Sequence, residues 1–344
     1  MRFSRVVSIL MFVSGLALRP ALATAQLPAP PSALPAVAPA QDDLEDSAAT
    51  TKLKAHVSEL FLRRDYAEID AIADKIRADK TRLVGGGWQI TRLYQALEAK
   101  EGTTAEEHIA QLNAWIAERP QSITPRVALA RAYIRYAWAA RGGGPGGQRL
   151  FEERIAEAKN VLDSSANLSP MCPDWFFQMQ TVALAQGWEK GRTTELFEQA
   201  TRFEPDYLYY YQNYARYLLP KWDGKNGDDV AFAKTIADSI GGIKGDFMYY
   251  QIGIVVLGIC NCTVRNNPLD WGRLQRGYQA QHEMFSNTNY DTNQLALLAW
   301  RFNDRDVARE SFDRIGDRWA VNVWKSHARF NQVRRWAYGS SAAH

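Results

Sequence analysis

Residues 170–205 read PMCPDWFFQMQTVALAQGWEKGRTTELFEQATRFEP, and this stretch decides the predicted fold. Its apolar residues recur at three and four positions, which is the spacing of an amphipathic helix rather than of a strand. The pattern predicts helices over residues 173–186 and 193–203. Phe197 and Ala200 lie in the second helix, and a proline follows five positions after Ala200. The stretch therefore predicts one helix-turn-helix unit, with a length close to the ~34-residue period of a known helical repeat.

The same arrangement recurs along the chain. Leu129 and Ala130 form a large-small pair on one predicted helix, and Leu295 and Ala296 form such a pair on another. The small residue lets a paired helix approach closely. These spacings are typical of the tetratricopeptide repeat (TPR), in which helical hairpins stack on one another. The sequence therefore predicts an all-α domain over residues 48–338, built as a TPR-like α-solenoid of stacked helical hairpins.

Two glycine-rich runs interrupt the helical pattern, at residues 85–87 and 142–147. Glycine weakens helices and marks turns, so we expect connections between helices at both places. A helix is predicted over residues 247–259, after a pair of glycines. The pattern then predicts a single capping helix over residues 319–336 at the C-terminal end. Basic residues on its outer face would keep that end soluble: Lys325, Arg329, Arg334 and Arg335.

Three further stretches carry a resemblance to a known family. They are Arg64-Asp65-Tyr66-Ala67-Glu68-Ile69-Asp70, Gly87-Trp88 followed by Leu93-Tyr94, and Leu218-Leu219-Pro220-Lys221-Trp222-x-Gly224. With these motifs the chain resembles an uncharacterised bacterial family of TPR-like proteins, a domain of unknown function. The resemblance implies a helical-repeat fold, and the family has no catalytic residue that could be carried over to this chain.

The N-terminal residues have the pattern of a signal peptide. Two arginines precede a mostly apolar run over residues 6–18, and the sequence Ala-Thr-Ala ending at residue 25 fits the small-x-small cleavage rule. We therefore predict residues 1–25 as a signal peptide, with a retained membrane anchor as the alternative. Residues 26–47 are predicted to be a Pro/Ala-rich disordered linker, and residues 339–344 a disordered tail. The mature protein is expected to be periplasmic or secreted.

The charges of the chain are nearly balanced. It has 41 basic and 38 acidic residues, which gives a net charge of +3. Nucleic-acid binding proteins carry a clear excess of basic residues. The balance therefore predicts no nucleic-acid partner.

Three cysteines are present, and an oxidising compartment favours disulfide formation. On the solenoid prediction Cys172 starts a helix, whereas Cys260 ends a parallel helix further along the array. About fifteen residues of helix cover ~22 Å, and a disulfide needs Cα atoms within ~7 Å. We therefore expect Cys172 to stay free. Two alternatives stay open for Cys260 and Cys262, a strained bridge or buried free thiols, and the thiols are preferred.

Sequence motifs for catalysis or metal binding are missing from the chain. Its five histidines are scattered, and no H-E-x-x-H, Cys-x-x-Cys or G-x-S-x-G motif is present. The glycine runs lack the Lys-Ser/Thr of a phosphate-binding loop. The sequence therefore predicts no catalytic residue, no metal site and no cofactor.

The predicted helix over residues 206–219 is unusually rich in tyrosine. Five tyrosines fall on one stripe, while Tyr209 points elsewhere. Tyrosine has an apolar body and a polar tip, so the stripe fits two interpretations. One is core packing between repeats, and the other is an aromatic groove that grips a peptide or a sugar. The stripe consists of Tyr207, Tyr210, Tyr211, Tyr214 and Tyr217.

Three connecting segments also join an aromatic residue to an acid near a helix end. Loops on a rigid scaffold often carry function. If these segments lie along one edge, five of their side chains could converge on a ligand: Trp175, Trp222, Asp223, Asp246 and Tyr249. The simpler alternative is that Asp174, Asp228 and Asp246 cap helix N-termini.

These features predict an exported TPR-like scaffold that binds a protein segment or an envelope polymer on a concave, aromatic-rich face. Its candidate ligand-binding residues are Trp175, Tyr210, Tyr214, Trp222, Asp223, Asp246 and Tyr249. The first alternative is a cell-envelope glycan-acting enzyme with Asp223 and Asp246 in a cleft, because paired carboxylates perform glycoside hydrolysis. The second is a purely structural part of a larger assembly. The sequence leaves the oligomeric state open.

Overall fold

The structure, a computed structural model, describes residues 48–142, 144–260 and 269–339. The predicted signal peptide and linker lie outside the described residues, as does the predicted tail beyond residue 339. All described residues belong to one compact unit, Ala33–His344. Within these ranges the chain forms sixteen α-helices and one short 3₁₀ turn, and no β-strand is found. The prediction of an all-α fold is therefore confirmed.

The α-helices follow one another with short connections, and the 3₁₀ turn at Val84–Gly86 lies between the second and the third. In chain order they are α1 Ala48–Arg63, α2 Tyr66–Asp79, α3 Gln89–Ala96, α4 Ala105–Glu118, α5 Thr124–Arg141, α6 Gly147–Ser165, α7 Pro173–Gln186, α8 Lys190–Phe203, α9 Leu208–Tyr217, α10 Asp228–Ile240, α11 Gly242–Cys260, α12 Trp271–Phe285, α13 Asn289–Arg301, α14 Arg305–Ile315, α15 Val321–Trp324 and α16 His327–Ala337.

Local sequence explains where the helices of the 170–205 stretch begin and end. Pro173 occupies the first turn of α7, where its missing N–H costs no hydrogen bond. Gly187 ends the helix in the left-handed conformation, with φ of 63°, and its N–H bonds the carbonyls of Ala183 and Leu184. Helix α8 then starts three residues before the predicted position, at Lys190.

Neighbouring helices pack against each other along the middle of the chain. From α4 to α14 each helix contacts the next, with the most extensive pairs being α5 with α6, α11 with α12, and α13 with α14. Alternate helices also touch: α5 contacts α7, α7 contacts α9, and α9 contacts α11. In this series α7 packs between α5 and α9, and α9 packs between α7 and α11. Another face of each of these helices lines the site described below.

Two apolar clusters form the core. The larger one extends from α1 to α13 and contains Trp115, Tyr94 and Tyr210, which are fully buried. The smaller one joins α13, α14, α15 and α16 around Phe312 and Trp324. The prediction that Cys172 stays free is confirmed, since it is a buried free thiol with Sγ 3.3 Å from the Tyr94 hydroxyl. The side chains of Cys260 and Cys262 lie outside the described residues.

The single capping helix predicted over residues 319–336 is wrong. The segment is divided into α15 and α16, because Lys325 adopts a left-handed conformation with φ of 65°. The Ser326 side chain then accepts from the Arg329 N–H and starts a new helix. Three apolar residues of the two helices are buried: Val323, Phe330 and Val333.

The glycine run at residues 85–87 forms a contact between distant parts of the chain. The Gly85 N–H donates to the Ser286 carbonyl at 3.1 Å, and the 3₁₀ turn packs against α12. Gly86 has φ of +82°, and a Cβ there would lie 2.8 Å from the Phe247 ring. Trp88 Nε1 donates to the Asp206 carbonyl at 3.2 Å. This segment therefore links the α2–α3 connection to α9, α11 and α12.

Among residues 48–142, 144–260 and 269–339, no helix combines the length and the apolar character needed to cross a membrane.

Candidate functional site

The odd-numbered helices enclose a cavity of about 1080 Å³. Helices α5, α7, α9 and α11 each line it with residues spaced three, four and seven positions apart, which is one face of a helix. Helices α3 and α13 contribute further residues, and the 81–87 segment and the α15–α16 connection complete the wall. The four repeated faces are Ala128, Arg131, Ala132 and Arg135; Asp174, Phe177, Gln178 and Thr181; Tyr209, Gln212, Asn213 and Arg216; and Gln251, Ile254, Val255 and Gly258.

Side-chain amides connect the helices across the cavity wall. Gln212 Nε2 donates to Gln251 Oε1 at 3.0 Å and to the Gln251 carbonyl at 3.1 Å. Asn213 Nδ2 donates to Thr181 Oγ1 at 3.2 Å. Each primary amide offers two N–H groups and an oxygen with two lone pairs. The wall therefore keeps hydrogen-bonding capacity of both kinds beyond these bonds.

Asp174 is the centre of a polar cluster at one side of the cavity. Its carboxylate accepts from Arg131 Nη1 at 3.0 Å, from Gln178 Nε2 at 3.0 Å and from the Tyr207 hydroxyl at 2.9 Å. Burial alone would lower the Arg131 pKa. The negative charges of Asp174 and Glu98 outweigh this effect, so the Arg131 pKa is raised. The prediction that Asp174 caps its helix is wrong, because the carboxylate bonds side chains of neighbouring helices.

The other two acids that line the cavity are also engaged. Glu98 pairs with Arg135 at 2.9 Å. Asp291 bonds the Thr288 backbone N–H at 2.8 Å in a capping box at the start of α13. Burial raises the Asp291 pKa, and the hydrogen bonds from Thr288 oppose that rise.

His108 reaches the cavity wall with both ring nitrogens occupied. Nε2 lies 2.8 Å from the Leu97 carbonyl, and Nδ1 lies 2.9 Å from the Tyr136 hydroxyl. Burial lowers the His108 pKa. The residue is therefore a hydrogen-bonded histidine that favours the neutral form.

Positive charge is concentrated on the cavity wall. Eight of the lining residues are basic and three are acidic, a difference of five charges, whereas the entire chain has a net charge of +3. The basic residues come from the 81–87 segment, from four odd-numbered helices and from the C-terminal segment. They are Arg82, Arg92, Arg131, Arg135, Arg216, Arg301, Lys325 and Arg329.

Arg216 is the one basic residue of the described cavity wall that is buried. Only 7% of its surface is exposed, and neither an ion pair nor a side-chain hydrogen bond to its guanidinium is found within the described part of the chain. Burial lowers the Arg216 pKa to about 10. Burial, and then the positive charge of Arg216, lower the pKa of Lys221.

Arg301 and Arg329 add a second basic feature to the wall. Arg301 Nη1 donates to the Leu257 carbonyl at 2.5 Å. Burial, and then the positive charge of Arg329, lower the Arg301 pKa. Arg329 was expected on a solvated outer face, but it lines the cavity together with Lys325.

The tyrosine stripe of α9 lies inside the helix packing. The Tyr210 hydroxyl donates to the Pro173 carbonyl at 2.9 Å, and Tyr214 stacks on Phe197 with ring centroids 4.5 Å apart. These contacts are those of the core-packing interpretation. The tyrosine of α9 that lines the cavity is Tyr209, which the pattern placed away from the stripe.

Two of the aromatic residues predicted to bind ligand from the connecting segments are also in internal contacts. Trp175 is buried, and its Nε1 donates to the Leu162 carbonyl at 2.9 Å. Trp222 is half-buried against the larger core cluster. Asp223 is exposed and accepts from the Tyr217 hydroxyl at 2.6 Å. None of these three side chains lines the cavity.

Asp246 and Tyr249 are brought together by Arg273. Asp246 pairs with Arg273 at 2.9 Å and with Arg276 at 3.2 Å. The Arg273 guanidinium lies 5.0 Å from the centre of the Tyr249 ring. Because α11 starts at Gly242, Asp246 lies within a helix, and the prediction that it caps one is wrong. This pair also lies outside the cavity wall.

The cavity face of α9 was not predicted, because its polar residues are less unusual than the tyrosine stripe and the aromatic-acid segments. A usable signal was present on α9, where Tyr209, Gln212, Asn213 and Arg216 keep helical spacing on the face opposite the tyrosine stripe. A polar stripe of this kind is normally read as a solvated surface. Only the packing of α7 and α11 on either side of α9 shows that it faces a cavity.

Comparison of the chain with known protein families, with curated protein sequences and with solved structures finds no match. The resemblance to the bacterial TPR-like family therefore stays a prediction. In the part of the chain that the structure describes, no group of three or more His, Cys, Asp or Glu side chains is placed to hold a metal ion.

Proposed function

We propose that the chain is an exported scaffold of TPR-like helical pairs that binds a protein segment in the cavity. The observation that carries this proposal is the repetition of one helical face on α5, α7, α9 and α11 along the cavity wall. In a stack of helical hairpins, the first helices of successive pairs form an extended inner surface. The contacts of α5 with α7, of α7 with α9 and of α9 with α11 fit such a stack.

The chemistry of the wall favours a peptide as the ligand. Amide side chains recur on α7, α9, α11 and α13, and each can donate to a carbonyl and accept from an N–H group. An extended peptide presents both groups at every residue. The recurring amides that line the cavity are Gln178, Gln212, Asn213, Gln251 and Gln294.

Aromatic residues other than the predicted stripe line the cavity. Tyr209 and Phe177 do so with ring centroids 6.0 Å apart, and Tyr94, Trp138 and Tyr290 lie elsewhere on the wall. The recurring amides, rather than these rings, support a protein segment over an envelope polymer, because a peptide presents a carbonyl and an N–H at nearly every residue.

The enzyme alternative has less support from the geometry. It requires two carboxylates that flank a substrate in one cleft. Asp223 accepts from the Tyr217 hydroxyl and Asp246 is paired with two arginines, and neither carboxylate lines the cavity.

Site-specific photo-crosslinking in cells tests the proposal. The full chain is expressed with p-benzoylphenylalanine in place of Tyr209 or, as the matched control, in place of Tyr338, which is 43% exposed and outside the cavity. Irradiation is expected to give peptide adducts at position 209 and few or none at 338, as identified by mass spectrometry after proteolysis. Glycan adducts at position 209 would support the envelope-polymer alternative, and equal adducts at both positions would refute a binding site in the cavity.

A further inference from the structure

Arg216 is a buried cation whose guanidinium has no compensating acid, and it lines the cavity. Its side chain comes from the last turn of α9, and the residue is 7% exposed. Moving a guanidinium out of water costs free energy unless an acid or a set of acceptors replaces the water. Arg216 Nε is buried without a hydrogen-bond partner, and no acid is paired with the guanidinium among residues 48–142, 144–260 and 269–339.

The other arginines of the wall show that compensation is available in this fold. Arg131 pairs with Asp174, and Arg135 pairs with Glu98. Arg82 donates to the Gly86 carbonyl at 2.6 Å, and its guanidinium lies within 5 Å of the centres of two aromatic rings, at 4.8 Å and 4.9 Å. Arg216 differs from these residues because it is buried at the cavity wall and its guanidinium has no acid or acceptor as a partner among the described residues.

Asn213 adds an acceptor one turn before Arg216 on the same face of α9. The Thr181 hydroxyl donates its proton to the Phe177 carbonyl at 2.9 Å, so Thr181 Oγ1 must accept from the Asn213 amide at 3.2 Å. This arrangement directs the Asn213 NH₂ group to Thr181 and leaves Oδ1 for another donor. Oδ1 is buried and has no partner among the described residues.

A donor of two hydrogen bonds and an unused acceptor thus lie three residues apart on one helix face. A guanidinium matches the two oxygens of a carboxylate in a fork-like pair, and such charge-assisted bonds are stronger than neutral ones. An amide oxygen next to it matches a backbone N–H. An acidic residue within a peptide offers both a carboxylate and a backbone N–H.

We propose that Arg216 and Asn213 form a recognition site for an acidic residue of the bound protein segment, with the carboxylate on the guanidinium and a backbone N–H on Asn213 Oδ1. This inference rests on the proposed function, because it names the chemistry of the segment that the cavity takes. The excess of basic residues along the wall attracts the same ligand, since a cavity lined by one sign of charge concentrates counter-charged groups.

Peptide binding to the chain that starts at residue 26 tests the site. The probes are a fluorescent octamer of glutamate and a matched octamer of glutamine, measured by anisotropy at constant ionic strength. The glutamate peptide is expected to bind at least about tenfold more tightly, which is the effect of one charge-assisted hydrogen-bonded pair. Arg216→Gln is expected to remove that preference, and Arg216→Lys to retain part of it.

Arg202→Gln is the matched control. Arg202 lies on α8, its side chain is 67% exposed, and its nearest acid is Glu198 at 3.7 Å. This variant is expected to keep the full preference for glutamate. Asn213→Asp places a competing carboxylate next to Arg216, so it is expected to weaken glutamate binding more than glutamine binding.

The outcomes separate the inference from the proposed function. If both peptides bind equally well and Arg216→Gln changes neither affinity, the acidic-residue site is refuted while peptide binding stands. If neither peptide binds and no adduct forms at position 209, both proposals fall. Displacement of the glutamate peptide by inorganic phosphate, tighter than by glutarate and dependent on Arg216, would overturn the assignment to a carboxylate.

A stability measurement distinguishes recognition from a structural role of Arg216. An uncompensated buried charge destabilises the free protein, so Arg216→Met is expected to keep or raise the Tm without peptide. The glutamate peptide is expected to raise the Tm of the unmodified chain but not that of Arg216→Met. A fall in the Tm of Arg216→Met by about 2–4 °C or more would show that Arg216 supports the fold and would refute the inference.

Discussion

Replacing Asp174 by alanine removes the acceptor on which three buried donors converge. The carboxylate is 1% exposed and bonds Arg131, Gln178 and the Tyr207 hydroxyl at 2.9–3.0 Å. Removing one partner of a buried ion pair costs about 3–5 kcal/mol, because the remaining charge stays desolvated. Arg131 keeps part of its compensation from Glu98 at 3.8 Å and is 15% exposed to the cavity. We therefore expect a loss near the lower limit, about 3 kcal/mol.

Urea and thermal unfolding of the chain that starts at residue 26 measure this loss. At about 2–4 °C per kcal/mol, the Tm of Asp174→Ala is expected to fall by about 6–12 °C. The matched control is Asp163→Ala, which removes an exposed carboxylate paired with Lys159 on the same helix and should cost less than about 1 kcal/mol. A double variant with Arg131→Met should recover part of the loss, because it removes the uncompensated cation. If Asp174→Ala were as stable as Asp163→Ala, the argument that Asp174 holds α5, α7 and α9 together would be wrong.

Three further predictions concern other parts of the chain. Gly86→Ala places a Cβ 2.8 Å from the Phe247 ring at φ of +82°. It should lower the free energy of unfolding in urea by about 1–3 kcal/mol. Gly316→Ala is the control, because Gly316 has φ of +60° with open space around it, and it should cost less. Burial lowers the His108 pKa below its ordinary 6.5, so the unfolded chain binds more protons and stability should decrease as the pH falls from about 7.5 to about 5.5. His108→Gln should reduce that dependence, and an unchanged slope would contradict the assignment. Mass spectrometry of the protein expressed from the full sequence should find an N-terminus at residue 26, and a retained N-terminus would favour the anchor alternative.

Much of the fold follows from short-range patterns. Helix α7 begins and ends where residues 173–186 were predicted to, because a proline starts it and a left-handed glycine ends it. Helix α10, Asp228–Ile240, likewise lies between two glycines, Gly227 and Gly241. The C-terminal prediction failed since Lys325 adopts a left-handed conformation that its residue type does not announce.

The site was much less predictable than the helices. The tyrosine stripe was correctly placed on one face of α9, yet both interpretations of it were compatible with the sequence. Asp174 looked like a helix cap, and its bonds to Arg131 and Tyr207 depend on residues 43 positions before it and 33 positions after it. The near balance of charge over the whole chain also concealed the basic cavity, because composition does not say where charges lie.

The sequence by itself determined the all-α class, the bounds of α7 and the stripe of tyrosines on one face of α9. These properties depend on residues within a few positions of one another, and their spacing is readable without any knowledge of partners. Only the tertiary structure decided that Tyr209 rather than Tyr210 faces the cavity and that Arg216 is buried without an acid. Burial and charge compensation depend on which helices pack opposite a side chain, and those neighbours are distant in the chain.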